Sequence, residues 1–125
     1  MQSASGQPRQ LMATLYTSSI MRLSPTEVTL IQVAARDTLA AGSRVTLFGS
    51  RIDDSRRGGD IDLLVEWPGP SAATEVVGRR SAFAARLYRL LGERRIDIVM
   101  APAGQPDARP VVDAARREGI ELICT

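Results

Sequence analysis

The sequence predicts an α/β (α+β) fold, a small β-sheet flanked by helices. Four short runs rich in apolar and β-branched residues, at 44–48, 60–66, 95–100 and 120–123, alternate with three segments whose apolar residues recur at helical spacing. A chain of 125 residues with 44% apolar content suits one hydrophobic core, and it contains no internal repeat and no second domain.

Residues 1–20 open on the polar stretch MQSASGQPRQ and continue as LMATLYTSSI, which lacks a capping signal. They read as a poorly defined extension, with the domain proper over 21–125. In Ser24-Pro25-Thr26-Glu27 a hydroxyl can accept from helix N–H groups, proline takes the first helical position, and glutamate completes a capping box. A helix over about 25–41 follows, with Val28, Ile31, Val33, Ala34, Ala35 and Leu39 as its apolar stripe and Gly42 as its stop. Arg44–Phe48 is the first strand and ends at Gly49-Ser50. The polar connection 51–59 leads to a second strand over 60–66, closed by Trp67-Pro68-Gly69-Pro70. The longest helix spans about 72–91, with Val76, Val77, Ala82, Phe83, Leu87, Leu90 and Leu91 at mostly helical spacing; Phe83, Leu87, Leu90 and Leu91 are its core set. A third strand over 95–100 breaks at Ala101-Pro102. The chain closes with a helix over 111–118, Gly119 as its stop, and a strand over 120–123.

All sixteen basic residues are arginine, so the chain has neither lysine nor histidine. This excludes a P-loop lysine, a Schiff base, a Ser-His-Asp triad and an imidazole metal site. Chemistry must rest on carboxylates, hydroxyls and arginines. The net charge of +2 is mild and the cations are spread out, so there is no clustered nucleic-acid footprint. Cys124 has no intrachain partner and reads as a buried free thiol. No apolar run spans a bilayer and no leader pattern is present, so the expectation is a cytoplasmic protein with no membrane association.

Asp60 and Asp62 lie two apart on a predicted strand, so both side chains leave one face while Ile61 and Leu63 leave the other. Such a pair repels itself unless a cation intervenes, and Mg²⁺ favours one or two carboxylates together with phosphate oxygens. Asp97 lies within another strand, and if the two strands are neighbours three carboxylates converge. Taken singly, Asp60 and Asp62 could begin a solvent-facing edge strand, and Asp97 could pair with Arg94 or Arg95. Gly49-Ser50 ends a strand in a way that lets backbone N–H groups and a hydroxyl face a phosphate, although a Gly-Ser pair is more often a plain turn. Trp67 could stack on a base, but its Trp-Pro-Gly-Pro setting favours a packed turn. Asp53 and Asp54 read as loop and capping residues, and Arg56 and Arg57 as solvated loop cations.

Leu47-Phe48-Gly49-Ser50-Arg51, a short polar connection, and Gly59-Asp60-Ile61-Asp62-Leu63 together resemble the signature of the DNA polymerase β-like nucleotidyltransferase superfamily. Asp97 in Ile96-Asp97-Ile98-Val99 matches its third acidic position. The likeness covers about residues 21–123 and is closest to the minimal, antitoxin-type nucleotidyltransferases. It implies a small mixed sheet of the polymerase β palm type. Gly49, Ser50 and Arg51 would hold the nucleotide, and Asp60, Asp62 and Asp97 would be both the catalytic residues and the ligands of one or two Mg²⁺ ions. ATP, or another nucleoside triphosphate, would be the substrate. The resemblance further implies a helical protein partner, a HEPN-type toxin encoded nearby, that receives AMP and is silenced. Two other readings stand beside it: a non-catalytic module that neutralises its partner by contact, and a free-standing enzyme acting on a small alcohol or RNA end. Homo-oligomerisation is left open.

Overall fold

The computed structural model describes residues 23–49, 61–92 and 94–125. The expected extension over 1–20 and the connection over 51–59 lie outside the described residues. The described elements are α1 (Pro25–Thr38), β1 (Arg44–Phe48), β2 (Ile61–Trp67), α2 (Ala73–Leu91), β3 (Ile96–Pro102), α3 (Pro110–Glu118) and β4 (Ile120–Cys124).

The capping box forms as the sequence predicts. Ser24 Oγ accepts from the Glu27 N–H at 3.1 Å, and Glu27 Oε1 accepts from the Ser24 N–H at 2.8 Å. The second Glu27 oxygen accepts from the Arg94 guanidinium, tying the start of α1 to the chain just before β3. The helix stops at Thr38 instead of reaching 41. Leu39 turns to φ −97° and ψ 158° and inserts into the core, while its N–H still donates to the Ala35 carbonyl. Burial of that leucine outweighs another half-turn of exposed helix.

The sheet is four-stranded and mixed, in the order β3-β2-β1-β4. β1 runs antiparallel to both β2 and β4, and β2 runs parallel to β3. A parallel pair needs a long crossover, which the 19-residue α2 supplies. On one sheet face Val45, Leu47, Ile61, Leu63, Val65, Ile96 and Ile98 pack with Ile31, Ala34 and Ala35 of α1 and Phe83 and Leu87 of α2. On the other face Phe48, Leu64 and Ala101 pack with Val112 and Ala115 of α3. The apolar stripe expected on α2 enters the core only in part. Phe83 and Leu87 are buried, but Val77 is 62% exposed because six residues place it about 120° around the helix from Phe83.

Two further expectations are corrected. β3 does not break at Ala101-Pro102 but continues to pair with β2 as far as Pro102 opposite Trp67. Proline is tolerated there because β3 is an edge strand and owes no outward N–H bond. Cys124 is exposed, not buried, because it ends β4 at the opposite margin of the sheet.

Three of the four outward carbonyls of β3 have side-chain donors. The Arg95 carbonyl accepts from the Ile61 N–H of β2, so by alternation the carbonyls of Ile96, Ile98, Met100 and Pro102 face away from the sheet. Arg80 Nε donates to Ile98 at 3.2 Å, Arg109 Nη2 to Met100 at 2.8 Å, and Arg116 Nη2 to Pro102 at 3.0 Å. The Arg109 guanidinium and backbone N–H also donate to Asp107, holding its carboxyl well below the usual carboxylate range. Because the folded pKa lies below the unfolded one, this stabilisation is present above the ordinary aspartate pKa and is lost as pH falls through it toward the folded value. Asp107→Asn is expected to flatten the fall in melting temperature between about pH 5 and pH 2.

α3 approaches β1 closely at Gly119. A Cβ there would lie 2.5 Å from the Ala115 carbonyl oxygen and 2.9 Å from that of Leu47, and would also collide with the Thr46 methyl. Backbone atoms cannot swing aside as a flexible side chain would, so Gly119→Ala is expected to cost about 1–3 kcal/mol of stability by denaturant unfolding. Among the described residues no helix is long and apolar enough to cross a membrane.

Candidate metal and nucleotide site

Asp62 is the second residue of β2 and Asp97 the second of β3, and the parallel register places them directly opposite one another. Their chain neighbours Ile61, Leu63, Ile96 and Ile98 all lie in the cluster beneath α1 and α2. Strand alternation therefore sends both aspartates to the other face, the one carrying Leu64 and α3. Adjacent strands are spaced about 4.8 Å apart, so these carboxylates are near neighbours on one surface. Asp62 is half-buried and Asp97 exposed. The expected convergence of β2 and β3 is thus present for Asp62 and Asp97.

The third element is the end of β1. Phe48 pairs with Asp62, and the next residue, Gly49, has φ +88°, a backbone conformation that side chains other than glycine's rarely adopt. A Cβ on Gly49 would lie 2.6 Å from Asp62 Oδ2. The strand end can come this close to the carboxylate only because the side chain is missing. A backbone turn, a half-buried carboxylate and an exposed carboxylate therefore meet at one end of the sheet.

Asp60, Ser50 and Arg51 lie outside the described residues, as do Asp53, Asp54, Arg56 and Arg57. Among the described residues no group of three or more acidic, cysteine or histidine side chains could hold a metal ion. Within this part of the chain the donor set is the pair Asp62 and Asp97. Their hard oxygen donors suit Mg²⁺, which takes one or two carboxylates and fills its remaining positions with water or phosphate oxygens.

Trp67 is partly buried at the end of β2, four residues and about 13 Å beyond Leu63, on the far side of the sheet from the aspartate pair. It is a strand residue, paired with Pro102 of β3 and not part of the turn that the sequence suggests, and it is no base platform for this site. Sequence reasoning missed Glu66. The residue is 4% exposed, and its Oε2 accepts from Arg116 Nε at 2.8 Å. The signal was present in Asp62-Leu63-Leu64-Val65-Glu66, where period-two alternation puts Glu66 on the same face as Asp62, but the run reads as continuously apolar.

No protein-family model matches the chain, and no curated protein matches it significantly.

Proposed function

We propose that the protein is an Mg²⁺-dependent nucleotidyltransferase that moves a nucleoside monophosphate, AMP from ATP, onto a partner protein, as the antitoxin of a HEPN-type toxin pair. The observation that carries this reading is the in-register pairing of Asp62 with Asp97 beside the glycine-ended turn of β1. Bound metal would neutralise phosphate charge and stabilise the transferring phosphoryl group. Asp62 and Asp97 would hold it, with Asp60 joining from the residue before β2. Asp97, the more exposed of the described pair, is the carboxylate open to an incoming hydroxyl and able to accept its proton. Gly49 lets β1 end against the Asp62 carboxylate, and Gly49 with Ser50 and Arg51, next in the chain, would contact the phosphates beside the metal.

The test is incubation of the purified protein with α-labelled ATP, Mg²⁺ and the helical protein encoded by the adjacent gene. Mg²⁺-dependent label on the partner is the expected result. A tight complex that never acquires label would overturn the transferase reading in favour of neutralisation by contact.

A further inference from the structure

A second polar site lies on the same sheet face, four residues along β2 from Asp62. There a cavity of about 410 Å³ opens between Arg44, Thr46, Glu66, Arg116, Gly119 and Glu121. Its size is that of a small-molecule pocket, typically about 300–1,000 Å³.

The charges in its wall are unevenly satisfied. Arg116 is held by a close bond from each of its three nitrogens, donating to Glu66, to the Gln105 carbonyl at 2.7 Å and to the Pro102 carbonyl at 3.0 Å. Glu66, 4% exposed, receives that bond on Oε2, whereas its Oε1 has only Arg44 Nη1 at 3.9 Å, beyond hydrogen-bond length. Arg44 reaches Glu121 through Nε at 3.4 Å. Both of its contacts are longer than the ~2.8 Å of a charge-assisted hydrogen bond. A buried carboxylate oxygen and a guanidinium fork therefore face one space, each short of a close partner, with the half-exposed Glu121 at the rim.

Two arginines and two glutamates sum to zero charge. A lone cation entering would satisfy Glu66 and Glu121 but oppose Arg44, and a lone anion would do the reverse. A molecule carrying both charges meets both sides. We propose that this cavity binds a small zwitterion of the α-amino-acid class. Its carboxylate is held by the Arg44 fork, and its ammonium donates to Glu66 Oε1 and Glu121. The site is independent of the nucleotidyltransferase reading, since it shares no residue with the aspartate pair.

Isothermal titration of the full chain with glycine, L-alanine and L-serine tests this, with methylamine and acetate as the single-charge halves. Saturable binding near ~1 mM is expected for at least one amino acid, about tenfold tighter than either half. Arg44→Gln and Glu121→Gln are each expected to weaken it about tenfold. Both side chains are nearly half exposed, so the variants retain the fold, which melting curves check. Asp62→Asn is expected to bind the amino acid as wild type does. Absence of saturation at ~100 mM of all three amino acids would overturn the proposal. So would equal binding of methylamine or acetate, or full affinity in both rim variants.

Discussion

Asp62→Asn is expected to lower label transfer from ATP by about a hundredfold or more, and to abolish stabilisation by Mg²⁺. The amide has nearly the shape of the carboxylate but lacks its charge, so it cannot hold a hard cation against water. Asp97→Asn should behave alike, since the register makes the two aspartates partners. Asp113→Asn, an exposed change on α3 that removes only the helical pair with Arg117, should leave transfer and Mg²⁺ response untouched. Wild-type transfer by Asp62→Asn would remove this aspartate from the metal's ligand set.

Phe83→Ala is expected to cost about 3–5 kcal/mol, read as a fall in the urea midpoint with an unchanged slope. Among the described residues Phe83 is the largest fully buried side chain, and it belongs to the cluster between α2, α1 and the sheet. Its removal leaves a cavity that neighbours on two rigid layers cannot fully close. The consequence for the site is indirect. α2 is the crossover that delivers β3 alongside β2, so the Asp62–Asp97 pairing exists only in molecules whose α2 is docked. Mg²⁺ should therefore raise the melting temperature of Phe83→Ala by about as much as that of the wild type, from a lower starting point.

Signals that act within a few residues were legible in the sequence. Ser24 through Glu27 state a capping box whose chemistry is complete within one turn, and it forms. The alternation of Ile61, Asp62 and Leu63 states which side chain leaves which face, and the two packing clusters bear it out. What was not legible depended on tertiary position. Pro102 stays in a strand because that strand is at the edge, and Leu39 leaves a helix because a core is waiting for it. Glu66 is buried because Arg116, fifty residues later, arrives to meet it. Of the candidate site, the pairing of Asp62 with Asp97 was conditional on which strands are neighbours, and no local pattern supplies that. Register matters equally: a slip of one residue would push Asp97 into the apolar cluster and turn Ile96 and Ile98 to water, so the paired carboxylates also mark correct threading.

The guanidinium groups along β3 have a colloidal consequence. An open sheet margin is a template on which another molecule can lay a strand, and repeated laying produces fibrils. Here the acceptors at Ile98, Met100 and Pro102 are already occupied by long, charged, hydrated side chains. A newcomer would have to evict three cations to gain three hydrogen bonds. Three of the acceptors on this flank are thereby guarded against intermolecular sheet growth, in a chain with no lysine to place there.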